Sequence, residues 1–210
     1  YMDTLKTMFH QPPALVRVAN VLIVVGMLLV FASSHAAIAQ TGITGIAPLP
    51  SNARYASEMN AFLKQDQKQM PPSGAVLFMG SSSIRFWTTL AKDIPEIPVI
   101  NRGFGGSFIS ENTLYADRIA IPYQPKIIVL YAGTNDLAYG HRNPQQVLQD
   151  FKAFVTKIHA ALPDTRIVYL SINPNVARWN LEQQFLEANH LIQAYIFANN
   201  SKTHKLDFID

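Results

Sequence analysis

The chain contains no cysteine in its 210 residues. This absence excludes disulfide bonds, a thiolate nucleophile and metal sites that bind through cysteine sulfur. No two histidines stand at the spacing of metal ligands either, so a metal centre is not expected. Because cysteine-free chains are compatible with every compartment, the absence restricts the chemistry and leaves the location open.

Charged residues are scarce as well: they make up 15% of the chain, and the formal net charge is +3. No run of lysine and arginine is long enough to follow a phosphate backbone, so nucleic acid is not expected as a partner. Hydrophobic residues reach 49%, which is enough to bury a sizeable core. The composition therefore predicts a folded protein and excludes a disordered one.

The N-terminal region carries one strongly apolar run. Lys6 and Arg17 precede residues 21–32, a run of about 12 residues that is shorter than the roughly 20 needed to span a bilayer. Ala37-Ile38-Ala39 fits a cleavage site, so residues 1–39 are predicted to be a signal peptide, with an uncleaved N-terminal anchor as the alternative. The protein is expected to be exported, and thus periplasmic or secreted, without stable membrane insertion once the signal is cleaved.

Residues 40–50 are predicted to be a linker and residues 51–210 the folded domain. Five short apolar segments in that domain alternate with helical patterns. These segments are residues 75–79, 98–101, 126–131, 166–172 and 205–209. The alternation predicts right-handed βαβ units, and hence an α/β fold: a three-layer α/β/α sandwich around a flavodoxin-like, parallel five-stranded sheet. The third segment is apolar on both faces, which is typical of the central strand.

Three longer helices can be predicted as well. Residues 51–70 form the first, which ends at a Pro-Pro pair. The second has Asn143 as its N-cap and Pro144 as its first residue, and its apolar side chains recur at helical spacing up to Leu162. The third covers residues 181–197.

Polar and glycine-rich segments follow three of the predicted strands. Gly80-Ser81-Ser82-Ser83 follows the first strand, residues 101–107 follow the second, and Gly133-Thr134-Asn135-Asp136 follows the third. In a parallel sheet these strand ends meet at one edge, where ligands bind. A serine in a strand-to-helix turn can act as a nucleophile, and glycine N–H groups and an asparagine amide can stabilise an oxyanion. These residue types favour acyl transfer.

The three segments resemble the sequence blocks of the SGNH, or GDSL-like, hydrolases. Residues 78–82 resemble the first block, residues 101–107 the second, and Gly133-Thr134-Asn135-Asp136 matches the third almost letter for letter. The resemblance extends over residues 74–210.

The resemblance implies a carboxylic-ester hydrolase that forms an acyl-enzyme on Ser82. The N–H groups of Ser82 and Gly106 and the side chain of Asn135 would form the oxyanion hole. It implies no metal or organic cofactor. The expected partner is a small-molecule, lipid or glycan ester, lysophospholipids included. The alternative is a non-catalytic, ester- or glycan-binding member of the fold that lacks the catalytic dyad.

The chain departs from the family in two places. The first block usually has aspartate where this chain has Ser81, so three adjacent serines compete; Ser82 is preferred because it stands two residues after Gly80. The family also has an Asp-x-x-His block near its C-terminus, which the 210 residues do not contain. The general base is therefore expected beyond residue 210, and the printed chain alone is expected to be nearly inactive. His141, in the loop after Asn135, is the alternative base.

Asp136 and Arg102 have two interpretations each. Asp136 is either catalytic or, preferably, a cap for the loop after the third strand. Arg102 either binds an anion or forms a surface salt bridge. Arg178 and Trp179 follow the fourth strand and are candidates for substrate contact.

Overall fold

The computed structural model describes residues 46–201 and 205–210. The predicted signal peptide or anchor and most of the predicted linker lie outside these residues. Those assignments, and the predicted export, therefore stay predictions. Within the described ranges, no helix combines the length and the apolar character needed to cross a bilayer.

Strands and helices alternate along the described residues. The strands are β1 (Val76–Gly80), β2 (Val99–Gly103), β3 (Ile127–Tyr131), β4 (Arg166–Leu170) and β5 (Leu206–Ile209). The α-helices are α1 (Ala56–Lys68), α2 (Ser82–Arg85), α3 (Leu90–Asp93), α4 (Ile109–Ile119), α5 (Thr134–Ala138), α6 (Pro144–Ala161) and α7 (Glu182–Asn199). Two 3₁₀ helices, Ile121–Tyr123 and Val176–Leu181, precede β3 and α7.

The five strands form one parallel sheet in the order β2-β1-β3-β4-β5. This arrangement confirms the predicted α/β fold, with β3 as the central strand. Gly80 at the end of β1 is level with Gly103 of β2 and Tyr131 of β3. The carboxyl ends of these three strands therefore meet at one edge, and the segments that follow them start side by side.

Helix α6 shows how local sequence sets an element. The Asn143 side chain accepts a hydrogen bond from the Gln146 N–H, and the Gln146 side chain accepts one from the Asn143 N–H, both at 2.9 Å. This reciprocal capping and the proline at the first helical position begin the helix where the sequence predicts it. The buried side chains recur at helical spacing and join the main core.

Helix α1 begins later than predicted. Tyr55 has a φ of 63°, a left-handed conformation that a right-handed helix cannot contain. Its side chain explains why this conformation is held: the hydroxyl donates to Glu111 Oε2 at 3.2 Å, and the ring packs edge-on against Phe104 at 4.9 Å. The predicted helix over residues 51–70 was therefore too long at its N-terminus.

Candidate active site

The turn between β1 and α2 carries the three serines. Gly80 has a φ of 136°, and a Cβ at this position would lie 2.1 Å from the carbonyl oxygen of Tyr131, so only glycine fits. The Ser81 N–H donates to the same carbonyl at 3.2 Å. Ser81 and Ser83 are 5% and 4% exposed, whereas Ser82 is half-buried. Of the three hydroxyl groups, that of Ser82 is therefore the accessible one.

The second segment is hydrogen-bonded to the same turn. The carbonyl oxygen of Gly80 accepts from the Phe104 N–H at 3.0 Å and from the Ser107 hydroxyl at 3.1 Å. Gly106 lies between these two donors and is exposed. Its N–H has no intramolecular acceptor among the described residues. The N–H group of Gly106 is thus available as a hydrogen-bond donor beside the turn that carries Ser82.

The third segment is tied to the second. Asn135, near the start of α5, is 7% exposed, and its Nδ2 donates to the Ser107 carbonyl oxygen at 3.2 Å. An amide group has two donor hydrogens, so one remains for another acceptor. Hydrogen bonds of the Gly80 and Ser107 carbonyl groups thus bring the segments of Ser82, Gly106 and Asn135 together.

Asp136 is fully buried next to Asn135. Its Oδ1 accepts from the Ile109 N–H at 3.0 Å, so it caps the N-terminus of α4 and not the loop after the third strand. Its Oδ2 has no hydrogen-bond partner among the described residues. Burial raises the pKa of this carboxyl from 3.8 to about 6, because the charged form loses its hydration.

The raised pKa of Asp136 makes stability depend on pH. Between pH 4 and 6 the folded protein binds a proton that the unfolded chain has released, so stability falls as pH rises, by about 3 kcal/mol in all. Asp136→Asn keeps the Oδ1 acceptor and cannot titrate. We expect this part of the pH dependence to vanish in the variant when urea unfolding is measured from pH 4 to 7.

Asp117→Asn is the control, because Asp117 is exposed and should leave the pH dependence close to that of the wild type. The prediction would be contradicted if the free energy of unfolding changed equally with pH in the wild type and in Asp136→Asn.

Arg102 is placed differently from both sequence interpretations. It is 6% exposed and forms a hydrogen-bonded ion pair with Asp66, and its Nε donates to the Tyr123 hydroxyl at 2.9 Å. It is neither an anion site nor a surface salt bridge. The sequence held a signal for the burial of Asp66, which continues the helical spacing of the buried residues Ala56, Met59 and Leu63.

The described histidines lie in different parts of the fold. His159 Nε2 is 3.0 Å from the Thr165 carbonyl oxygen, just before β4 and thus at the edge opposite Ser82. His190 is exposed on α7. His141 is exposed and follows α5 at the edge of Ser82. Across the residues that the structure describes, no cluster of three or more histidine, aspartate or glutamate side chains could hold a metal ion.

An arginine–aromatic contact lies one helical turn beyond Asn135. Arg178 donates to the Tyr139 hydroxyl at 3.1 Å, and its guanidinium is 5.1 Å from the centre of that ring. Trp179 is 59% exposed. The sequence had singled out Arg178 and Trp179 and missed Tyr139, because their contact joins segments 39 residues apart.

The parallel sheet between helices, with its three strand-end segments at one edge, is an α/β fold like that of the GDSL hydrolases. The chain belongs to the GDSL-like Lipase/Acylhydrolase family, which it matches over residues 74–210. None of the curated proteins compared with it is significantly similar in sequence.

Solved structures with a similar fold include three bacterial proteins. A candidate platelet activating factor from Streptococcus pneumonia is 18% identical, with a TM-score of 0.62 over 73% of this chain and 72% of that one. A GDSL-like lipase from Bacteroides thetaiotaomicron is 22% identical, with a TM-score of 0.60 over 72% and 76%. A candidate acylhydrolase from Bacteroides fragilis is 22% identical, with a TM-score of 0.58 over 70% and 73%. At these identities the likeness concerns the fold alone.

Proposed function

We propose that the protein hydrolyses carboxylic esters through a covalent acyl-enzyme on Ser82. The observation that carries the proposal is the accessible Ser82 hydroxyl between two buried serines, in a turn hydrogen-bonded to the glycine-rich segment. Membership of an acylhydrolase family supports the same chemistry. Ser82 and Asn135 take these roles because they stand where the family's motifs have the nucleophile and the amide donor.

The reaction has two steps. In the first, Ser82 Oγ attacks the ester carbonyl carbon and gives up its proton to a base, and the C–O bond to the alcohol breaks as the alcohol takes that proton. In the second, water attacks the acyl carbon as the base takes a proton from it. The bond between that carbon and Ser82 Oγ then breaks, the base returns the proton to Oγ, and the acid is released. The N–H groups of Ser82 and Gly106 and the Asn135 amide donate to the oxyanion in both steps.

Ser82 needs a base, since a serine hydroxyl is a weak nucleophile at neutral pH, and we propose a histidine for this role. In the family this histidine belongs to an Asp-x-x-His block, and we assign the role to a histidine of that kind. Among the described histidines, His141 is the second candidate, because it follows α5 at the edge of Ser82. The proposed location of the protein is outside the cytoplasm.

Proteins of similar fold show the range of substrates that remains open. They include an acetyl esterase crystallised with acetate and a member of carbohydrate esterase family 3 from Talaromyces cellulolyticus. We propose a small-molecule, lipid or glycan ester as the substrate of this protein.

Covalent labelling tests the nucleophile. Full-length protein should react with a fluorophosphonate, and its turnover of 4-nitrophenyl acetate should fall in proportion to the fraction labelled. Mass spectrometry of its peptides should locate the adduct on Ser82. Ser82→Ala should remove the label. Ser83→Ala is the matched control, because it deletes a neighbouring buried hydroxyl and should keep the label.

An adduct on Ser81 or Ser83 would refute the choice of Ser82. Full-length wild-type protein that neither reacts nor hydrolyses the ester would refute the enzymatic proposal and leave a non-catalytic binding protein.

A further inference from the structure

We propose that Arg85 recognises an acidic group on the substrate, so that the preferred esters carry one negative charge, such as a carboxylate, beside the scissile bond. This inference rests on the proposed function and names a substrate class for the same site. It is carried by the position of the Arg85 guanidinium next to the glycine-rich segment and by its lack of an acidic partner among the described residues.

Arg85 lies close to the proposed nucleophile. It is the last residue of α2, three residues after Ser82, and residues three apart on a helix are neighbours on its surface. A side-chain carbon added at Gly105 would lie 2.9 Å from Arg85 Nη1. The guanidinium therefore rests against Gly105, the residue before the proposed oxyanion donor Gly106.

Arg85 differs from the other arginines in the described ranges. Each of the others donates a side-chain hydrogen bond or forms an ion pair: Arg54, Arg102, Arg118, Arg142, Arg166 and Arg178. For Arg85 the structure gives no side-chain hydrogen bond or ion pair, and besides Gly105 the guanidinium contacts the ring of Phe86 at 5.5 Å. The residue is exposed.

Three carboxylates on the helices α1, α3 and α4 have other partners. Asp66 pairs with Arg102, Glu111 pairs with Arg54 at 2.8 Å, and Asp93 accepts from Trp87 at 2.5 Å. Glu58 lines the same groove of about 640 Å³ beside β2 as Arg85, and forms no ion pair with it. The positive charge of Arg85 is thus available to a ligand.

The guanidinium group of Arg85 determines which kind of ligand it can bind. A guanidinium presents parallel N–H donors that match the two oxygens of a carboxylate. A single cation matches a single negative charge. Because that charge is present in the bound ester and in the transition state alike, its recognition should lower KM and leave kcat nearly unchanged.

Two pairs of esters test the proposal on the full-length protein. 4-Nitrophenyl hemisuccinate and 4-nitrophenyl butyrate differ by a carboxylate in the acyl part, and 4-acetoxybenzoate and its methyl ester differ by one in the alcohol part. For each pair, the measured quantity is kcat/KM for the acidic ester divided by kcat/KM for the neutral ester. Arg85→Ala should lower this ratio about tenfold in at least one pair, because KM for the acidic ester rises. Arg85→Lys should restore part of the ratio.

Lys92→Ala is the matched control: it removes an exposed cation from the nearby α3 and should leave both ratios unchanged. Ratios that stay unchanged in Arg85→Ala for both pairs would overturn the proposal.

A binding measurement separates this proposal from the proposed function. In a Ser82→Ala background, monoethyl succinate should bind about tenfold more weakly when Arg85 is also replaced by alanine, as measured by calorimetry. Equal affinities would overturn the role of Arg85 whether or not the wild type hydrolyses esters. Absence of turnover together with a tenfold loss of binding would refute the hydrolase and keep the anion site.

Discussion

Asn135→Ala is expected to lower kcat for ester hydrolysis about 100- to 1000-fold, the usual cost of losing one oxyanion donor. The amide is buried, and one of its hydrogens is held by the Ser107 carbonyl group, so the other can be presented in a fixed direction. An oxyanion exists only in the transition state and the tetrahedral intermediate. The loss should therefore fall on kcat, with KM changed by a small factor.

Asn189→Ala is the matched control. Asn189 is also an anchored amide, since it accepts from the Ile172 N–H at 2.8 Å and donates to the Ile172 carbonyl oxygen at 2.9 Å, but it lies on α7. This variant should unfold more easily and keep kcat within a few-fold of the wild type. An Asn135→Ala enzyme with more than a tenth of the wild-type kcat would show that Asn135 is not an oxyanion donor.

The second large effect concerns stability. Asp66→Asn is expected to lower the free energy of unfolding by about 3–5 kcal/mol, because it leaves the Arg102 charge buried without its counter-ion. The side chains of Arg102 and Asp66 are 7% and 2% exposed, so solvent cannot replace the lost partner. Tyr123 cannot replace it either, since burial raises the pKa of its hydroxyl and keeps it neutral. Urea unfolding at pH 7 measures the change.

The ion pair between Lys157 and Asp117 provides the control. Its nitrogen–oxygen distance is 2.5 Å, and the Asp117 side chain is 65% exposed. Solvent screening should limit the effect of Asp117→Asn to about 1 kcal/mol or less. Similar losses in the two variants would show that burial of the Arg102–Asp66 pair has no special energetic weight.

The elements that could be predicted are those set by neighbouring residues. The cap at Asn143 and the apolar spacing after it locate α6, and the unbroken apolar run of β3 identifies the central strand. In a parallel sheet the carboxyl ends of the strands lie at one edge. Gly106 and Asn135 could therefore be assigned to the same edge before any contact was known.

The features that could not be predicted depend on how distant elements dock. Arg102 and Asp66 are 36 residues apart, and Asp136 reaches Ile109 across 27 residues. Neither of these two contacts can be predicted until α1 and α4 are placed against the sheet. The burial of Ser81 and Ser83 likewise depends on packing, which a row of identical residues does not reveal, although the spacing after Gly80 had already favoured Ser82.

The obstacle at Gly80 has a consequence for redesign. The atom that a side chain would strike there is a main-chain oxygen, that of Tyr131, so no smaller side chain elsewhere can make room for it. The start of the turn that carries Ser82 is thus set by backbone packing between β1 and β3. Side chains around the turn can be exchanged while the proposed nucleophile stays in place.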